Sequence, residues 1–291
     1  MALSTRANFY LVLITAIWGL TFPLIRGAIS YINPFLFVCI RFALAAMILL
    51  PLISRQFALT YKRLLLFGLV LGLLNSAAYI AQTIGLATIH SGRSAFITGF
   101  SVVLVPFLLP LFRLGKPRLI EIISALLCLA GLYVLTGADV SHVSNGDIWT
   151  LASAILFALS IASVHYVTRK VKEYRLLTFY QILFTIPLAL ICSPSLTIAP
   201  FANPTVVLSI LFCAIFATSL ALLVQMKYQP LTTAPKAALI YALEPFFASL
   251  FGFLLNKEPF TAHILSGGII ILLSLTLPEL RILLKLKLRG G

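Results

Sequence analysis

The sequence predicts an all-α polytopic membrane protein in which ten transmembrane helices form two inverted five-helix repeats. Three observations carry this prediction: an apolar composition, uncharged runs of membrane-spanning length, and residue matches between the two halves of the chain. Of 291 residues, 61% are hydrophobic and 10% are charged, with a mean hydropathy of +1.10. Since about a quarter of the residues in a soluble chain are charged, this composition excludes an ordinary water-soluble protein.

The uncharged runs set the number of crossings, because a helix needs about 20 apolar residues to cross ~30 Å of hydrocarbon. The longest run holds two crossings, since Pro194, Pro200 and Pro204 mark a turn in its middle. Two other predicted spans contain one charged residue each, Arg41 and Glu244. The ten predicted spans occupy residues 7–25, 34–53, 64–92, 94–112, 122–138, 148–168, 176–226 (two spans), 237–255 and 259–278.

Basic residues are distributed unevenly between the two predicted faces of the membrane. Of the 21 Lys and Arg residues, 17 fall on the side that holds both termini, whereas Arg26, Arg93 and Lys257 fall on the other and Arg41 lies within a span. Basic residues accumulate on the cytoplasmic side, so both termini are predicted to be cytoplasmic. The net charge of +14 is then a consequence of topology, and no nucleic-acid partner is predicted.

The four cysteines lie singly in apolar stretches, without CxxC spacing or a His partner at ligand spacing. They are Cys39, Cys128, Cys192 and Cys213. We interpret them as buried small hydrophobic residues. Neither a metal nor a cofactor is predicted.

Residues in the second half match residues in the first half at similar offsets. The matched pairs, with their offsets in residues, are Gln82 and Gln225 (143), Arg93 and Lys236 (143), Arg41 and Gln181 (140), and Trp18 and Phe157 (139). The common offset predicts two domains, residues 1–140 and 141–291. Since each holds five spans, an odd number, the second is inverted relative to the first, and such pairs enclose a substrate path at their interface.

Five residue pairs occur in order along the chain: Trp18-Gly19, Arg41-Phe42, Glu244-Pro245, Lys257-Glu258 and Gly267-Gly268. Together with ten spans and the inversion, they resemble the EamA family of the drug/metabolite transporter superfamily over essentially the whole chain. The resemblance implies a secondary transporter of small organic metabolites, such as amino acids or related compounds, in the inner or plasma membrane of a bacterium. Multidrug export, or import of a nucleoside-type metabolite such as S-adenosylmethionine, remains an alternative.

Ionisable residues inside the spans are candidate functional residues, because insertion in lipid is costly unless they face a cavity or another helix. Glu244 is the only acidic residue well inside a predicted span, and Pro245 predicts a kink beside it. A buried carboxylate without an adjacent cation suits proton coupling, although an ion pair or a packing role between helices is the alternative.

Polar stripes predict the lining of a path. Asn75, Tyr79 and Gln82 share one helix face, and the eighth predicted span repeats the stripe more thinly with Gln225 and Tyr228. The predicted substrate-binding residues are Trp18, Tyr79, Gln82, Arg93, Phe96, Thr98, Gln225, Tyr228, Lys236 and Tyr241, with Glu244 as the coupling residue. Arg93 and Lys236 would attract a carboxylate or phosphate, or alternatively snorkel to the interface.

A membrane-embedded enzyme is the less favoured alternative. Catalysis requires acids, bases or metal ligands gathered at one depth, whereas Asp139 and Asp147 share one loop and the four His residues are scattered. The sequence also has no Walker A or HExxH motif. The predicted partners are therefore a small-molecule substrate, the lipid bilayer and protons.

Overall fold

The computed structural model describes residues 3–137, 142–193, 202–256 and 261–289, and the regular elements in these ranges are all helices. The α-helices are α1 (Leu3–Ile29), α2 (Pro34–Ile53), α3 (Lys62–Thr88), α4 (Ser91–Gly99), α5 (Ser101–Leu108), α6 (Leu119–Thr136), α7 (Asn145–Val167), α8 (Tyr174–Ile191), α9 (Pro204–Phe212), α10 (Ala221–Tyr228), α11 (Ala234–Tyr241), α12 (Glu244–Asn256) and α13 (Ala262–Arg289).

Eight helical stretches in the described ranges are long and apolar enough to cross a membrane. They are Thr5–Ile29, Pro34–Leu59, Lys62–Thr88, Ser91–Leu108, Leu119–Thr136, Asn145–Val167, Tyr174–Ile191 and Pro204–Leu231. These coincide with the first eight predicted crossings, so the chain is a multi-pass membrane protein whose described elements are helical. The ninth predicted span is divided between α11 and α12, and the described apolar part of the tenth is Ala262–Pro278.

Two helical stretches are interrupted near the middle of the bundle. α4 ends at Gly99 and α5 begins at Ser101, whereas α11 ends at Tyr241 and α12 begins at Glu244. Pro245 lies in the first turn of α12, where the missing N–H leaves no helical bond unmade. The break predicted beside this proline is therefore present, and Ser101 and Glu244, the first residues after the two breaks, lie 143 positions apart.

A π-helix, Cys213–Leu220, joins α9 to α10. Its wider turn changes which backbone groups are paired within the helix, and the carbonyl of Ala217 accepts a hydrogen bond from Trp18 Nε1 at 2.9 Å. Arg41 Nε donates to Thr218 Oγ1 at 2.7 Å in the same segment. The π-helix thus fixes two side chains that come from α1 and α2.

Small residues allow α3 to approach α8 closely. A Cβ atom added to Gly72 would lie 2.7 Å from Phe184 Cβ and 2.8 Å from the carbonyl of Gln181, and Gly68 packs against Tyr180 in the same way. A larger side chain at either position would force the helices apart. In a bilayer, where lipid is as apolar as the side chains, such close packing contributes directly to helix association.

The four cysteines are free, as no disulfide joins them. Cys39, Cys128 and Cys213 are buried, as predicted. The prediction is wrong for Cys192, which is exposed because it follows the last residue of α8 at a poorly covered end of the bundle, where Ile191 is 80% exposed.

Candidate functional site

A cavity whose wall is formed by residues from both halves of the chain lies within the helix bundle. Helices α1 to α5, α7 and α10 to α12 contribute to its wall. Both helix breaks border it, through Gly99 and Ser101 on one side and Ala242 and Glu244 on the other. Interrupted helices beside a central cavity are the usual setting of a solute site in a membrane protein, because their backbone and polar side chains face the cavity rather than lipid.

Seven of the eleven predicted site residues line this cavity. They are Trp18, Tyr79, Gln82, Thr98, Gln225, Tyr241 and Glu244. Except for Trp18 and Glu244, which are partly exposed, each is at most 8% exposed. The structure therefore gathers residues from both halves of the sequence around one space.

Polar side chains of the wall are held by one another. Gln82 Nε2 donates to Thr98 Oγ1 at 3.3 Å, and Ser160 Oγ donates to Asn75 Oδ1 at 2.9 Å. These bonds join α3 to α4 and to α7, respectively. Because each amide retains further donors or acceptors, the wall presents hydrogen-bonding groups whose positions are fixed.

A fully buried glutamine, Gln229, organises the side of the cavity formed by α10 and α11. Its Oε1 accepts from Gln225 Nε2 at 3.0 Å and from Tyr241 Oη at 3.1 Å. Its Nε2 donates to the carbonyl of Ile161 in α7 at 2.8 Å. Gln229 does not line the cavity, yet it sets the positions of two side chains that do.

Aromatic rings form the apolar part of the wall. Trp18 and Tyr241 meet edge to face, with ring centroids 5.2 Å apart, and Tyr79 meets Phe157 in the same way at 5.2 Å. Phe157 is the residue that the repeat matches to Trp18. The two aromatic pairs suit an organic solute that has apolar as well as polar groups.

Arg41 lies in the cavity wall although it is only 2% exposed. Besides the bond to Thr218, its Nη2 donates to the carbonyl of Ala217 at 3.4 Å. Its guanidinium carbon lies 4.8 Å from the centre of the Tyr79 ring. The cation is thus fixed by the π-helix on one side and by an aromatic ring on another.

Glu244 shares this cavity with Arg41. The packing of α2 against the π-helix places Arg41 in the same cavity wall as Glu244. Between described residues, the ion pairs within 4.0 Å are Arg93–Asp147 and Arg118–Glu121. Arg41 and Glu244 therefore both border the cavity without forming an ion pair with each other.

Arg93 and Lys236 lie away from the cavity lining. Arg93, in the first turn of α4, forms an ion pair with Asp147 at the start of α7, with Nη2 and Oδ2 2.8 Å apart. Lys236, in the first turn of α11, borders a separate cleft together with Arg118 and Glu121. Arg93 is thus directed to Asp147 and to the carbonyl of His142, and Lys236 to a cleft with a different lining, rather than to the central cavity.

Phe96 and Tyr228 also lie outside the lining. The cavity face of α4 carries Ala95, Thr98 and Gly99, whereas Phe96 points about 100° away and meets Tyr133 of α6 at 6.2 Å between ring centroids. Tyr228, at the end of α10, stacks on Tyr10 of α1 with centroids 4.3 Å apart. These rings pack helices together outside the cavity lining.

The sequence profile of the EamA-like transporter family matches residues 5–137 and, a second time, residues 144–278. The two matches together cover most of the chain. The chain belongs to the EamA-like transporter family. It is accordingly a membrane transporter, and a small-molecule substrate and a lipid bilayer are its partners.

Relatives of this EamA-like transporter include two proteins named as uncharacterized transporters. One, from Archaeoglobus fulgidus, is 31% identical over 280 residues, which are 95% of this chain and 86% of that protein. The other, YvbV from Bacillus subtilis, is 26% identical over 94% of this chain and 91% of its own. A solved crystal structure has the same fold, with a TM-score of 0.72 at 16% identity over 95% and 96% of the two chains.

Sequence reasoning missed three residues that shape the cavity of this EamA-like transporter. Arg41 was identified as a charge inside a span, and its match to Gln181 across the repeat was the signal that it faces the interior. Asn75 belonged to the recognised polar stripe. Nothing in the sequence indicates the role of Gln229, because a glutamine that follows α10 is as typical of a polar loop as of a buried hydrogen-bonding position.

Proposed function

We propose that this chain is a secondary transporter of small organic metabolites, amino acids or related compounds, that works by alternating access. In this proposal it lies in the inner or plasma membrane of a bacterial cell with both termini cytoplasmic. Its ten spans form two inverted repeats, residues 1–140 and 141–291. The central cavity binds the solute, and Glu244 couples transport to protons.

The single observation that carries the proposal is the position of the cavity where the two broken helices meet. Transporters with inverted repeats place the substrate site near the bilayer midplane, between discontinuous helices of the two halves. Here Ser101 and Glu244, which follow the two breaks, both line the cavity. A solute bound there contacts both halves and is released when one half rocks against the other.

Hydrogen bonds at matched positions support the inverted repeat. Ser76 Oγ of α3 donates to the carbonyl of Thr185 in α8 at 2.8 Å. At offsets of 143 and 140, Ser219 Oγ donates to the carbonyl of Ala45 in α2 at 3.3 Å. The two family matches at residues 5–137 and 144–278 agree with the same division.

The repeat also supplies a candidate gate at the end of the bundle predicted to be external. There Arg93 of the first half binds Asp147 of the second, and Asp147 also accepts from the backbone N–H and Oγ of Ser144 at 2.7 and 2.9 Å. Asp147 is 6% exposed, whereas the Arg93 side chain is 24% exposed, so this charged contact is partly open to its surroundings. We call the Arg93–Asp147 pair the outer latch, and it is engaged in this conformation.

The repeat predicts an inner counterpart at the opposite end. The offset of 143 matches Arg93 to Lys236, and the offset of 139 matches Asp147 to Asn8. Asn8 Oδ1 is buried and has no hydrogen-bond partner, an arrangement that is unfavourable. In the opposite conformation, the Lys236 ammonium donates to Asn8 and the outer latch opens, so the two ends of the path open in turn.

Glu244 supports proton coupling by its place in the cavity. A carboxylate there is reachable from the path, and it can release its proton only toward whichever side the path is open. The alternative of a multidrug exporter requires a wide aromatic cavity without basic contacts, and Arg41 in the wall disfavours it. A nucleoside without charged groups would use the aromatic rings and amides but neither charge, whereas S-adenosylmethionine also carries a carboxylate and an ammonium.

The proposal predicts counterflow in proteoliposomes. Vesicles that contain the purified protein are loaded in turn with each member of a panel of amino acids and nucleoside-type metabolites, and entry of the labelled solute is followed with and without a pH gradient. We expect at least one amino acid to exchange, at a rate that the gradient changes. Exchange of no panel member by folded, correctly inserted protein would contradict the proposal.

A further inference from the structure

Another cleft lies at the end of the bundle where α1 and α8 begin and α2 and α10 end. This is the end predicted to be cytoplasmic. The described lining residues of this cleft are distinct from those of the central cavity, and they come from both halves of the chain. We call it the peripheral cleft, and its wall combines apolar side chains with phenolic and basic ones.

Basic side chains lie in and beside the peripheral cleft, next to a pair of stacked rings. Tyr10 and Tyr228, both in the wall, stack with centroids 4.3 Å apart. Lys227 Nζ lies 5.2 Å from the centre of the Tyr228 ring, and the guanidinium carbon of Arg6 lies 5.8 Å from the centre of the Tyr10 ring. Arg175 joins the wall from the start of α8. Three cations, from α1, α8 and α10, therefore gather at one site.

These three cations have no carboxylate partner among the residues that the structure describes. The ion pairs that form within 4.0 Å between those residues lie elsewhere. Glu173, two positions before Arg175, instead accepts hydrogen bonds from Tyr61 Oη at 3.3 Å and from the backbone N–H of Lys172 at 3.2 Å. Since aromatic faces attract a cation but do not neutralise it, the peripheral cleft presents a positive potential to an anion.

Apolar side chains complete the peripheral cleft. Leu49 and Ile53 are each 1% exposed, Leu52 is 61% exposed, and Leu223 and Val224 are partly exposed. All five belong to stretches that are long and apolar enough to cross a membrane. A small soluble anion would leave these side chains uncovered, whereas a ligand with hydrocarbon chains would cover them.

We propose that the peripheral cleft binds one phospholipid with an anionic headgroup, its phosphate beside Arg175 and Lys227 and its acyl chains against Leu52 and Leu223. Phosphate accepts charge-assisted hydrogen bonds from Arg and Lys, and basic pockets between transmembrane helices bind anionic headgroups. A zwitterionic lipid brings a quaternary ammonium that these cations and Arg6 repel. The lipid contacts both halves of the chain, and the proposal is independent of which solute is transported.

Native mass spectrometry of the full-length, delipidated protein tests the proposal. The protein is titrated in turn with dioleoylphosphatidylglycerol and dioleoylphosphatidylcholine, which have the same acyl chains and differ in net charge. We expect the first phosphatidylglycerol to bind about tenfold more tightly than the first phosphatidylcholine. Arg175→Gln combined with Lys227→Gln should bring the two affinities to within about twofold of each other, whereas Arg175→Lys combined with Lys227→Arg should keep the preference.

Lys62→Gln combined with Arg63→Gln is the matched control. It also removes one lysine and one arginine from exposed positions near the same end of the bundle, at the start of α3 and outside the lining of the peripheral cleft, so the preference should remain. Glycerol 3-phosphate distinguishes a lipid from a soluble phosphate ester. Added in excess, it should leave phosphatidylglycerol bound, because it has no acyl chains to cover Leu52 and Leu223.

Three results would each overturn the proposal: equal affinity of the wild-type protein for the two lipids, an unchanged preference in the double glutamine variant, or displacement of phosphatidylglycerol by glycerol 3-phosphate. An equal loss of preference in the Lys62 and Arg63 control would also contradict it. Arg175 and Lys227 are exposed, and the variant that exchanges their side chains keeps both charges. It therefore separates an effect of charge from an effect on folding.

Discussion

Glu244→Gln is expected to abolish the effect of a pH gradient on transport while solute counterflow continues. The substitution keeps the size of the side chain and, like the protonated carboxyl, provides both an acceptor oxygen and a donor, but it removes the group that binds and releases a proton. One pH unit corresponds to ~1.4 kcal/mol, so a gradient of about two units supports roughly a 100-fold accumulation ratio per coupled proton. In the variant this accumulation should fall to about the ratio seen without a gradient, as measured by labelled solute uptake.

Glu121→Gln provides the matched control for this prediction. Glu121 is also a buried carboxylate, but it pairs with Arg118 at the start of α6, outside the cavity, and a glutamine at this third helical position keeps the capping arrangement. This variant should accumulate solute as the wild-type protein does. Normal gradient-driven accumulation by Glu244→Gln, or an equal loss in both variants, would show that Glu244 is not the coupling group.

Asp147→Asn is expected to favour the conformation that is open to the outside. The amide keeps an oxygen that can accept from Ser144 and cap α7, but it removes the charge that holds Arg93. Loss of ~1.4 kcal/mol from one conformation shifts the equilibrium about tenfold. A cysteine introduced at Thr98, which lines the cavity, should then react about tenfold faster with a membrane-impermeant thiol reagent added outside.

Substitutions at Asn8 test whether the Arg93–Asp147 ion pair is one end of a gate that alternates with a Lys236–Asn8 contact or is only a structural ion pair. Asn8→Asp places a carboxylate where the repeat predicts that Lys236 arrives, so it should strengthen the inner contact and raise external labelling as Asp147→Asn does. Asn8→Leu removes the inner contact and should lower external labelling. If Asn8→Asp has no effect on external labelling, or an effect of the opposite sign, the Arg93–Asp147 and Lys236–Asn8 contacts do not form in turn during transport.

The crossings were predictable from the sequence because hydrocarbon tolerates few charges over ~30 Å, and eight of the ten coincide with described helices. The helix break at Glu244 was predictable from Pro245, whereas the break between Gly99 and Ser101 has no proline beside it. It became apparent only when three-dimensional packing placed both breaks beside one cavity.

The candidate site was predictable where a polar residue interrupts an apolar helix face, as Gln82 and Gln225 do. Arg93 and Lys236, at the starts of their helices, were predicted to bind substrate but do not line the cavity. A basic residue near the end of a span can bind a solute, a lipid headgroup or an acidic side chain, and the sequence does not distinguish among these. Arg93 finds its partner in Asp147, 54 positions away, and composition gives no signal for such a contact. The apolar sequence of residues 213–220 also does not indicate that this segment forms the π-helix that fixes Arg41.

The central claim is that this one cavity opens alternately to the two sides of the membrane. The most direct test places a cysteine at Thr98, replaces Cys39, Cys192 and Cys213 with alanine, and retains the fully buried Cys128 as an internal control. Vesicles of both orientations are then exposed to the impermeant reagent. The account predicts labelling of Thr98→Cys from either face, slowed by the transported solute, with Cys128 unlabelled; labelling from only one face, or from neither, would contradict it.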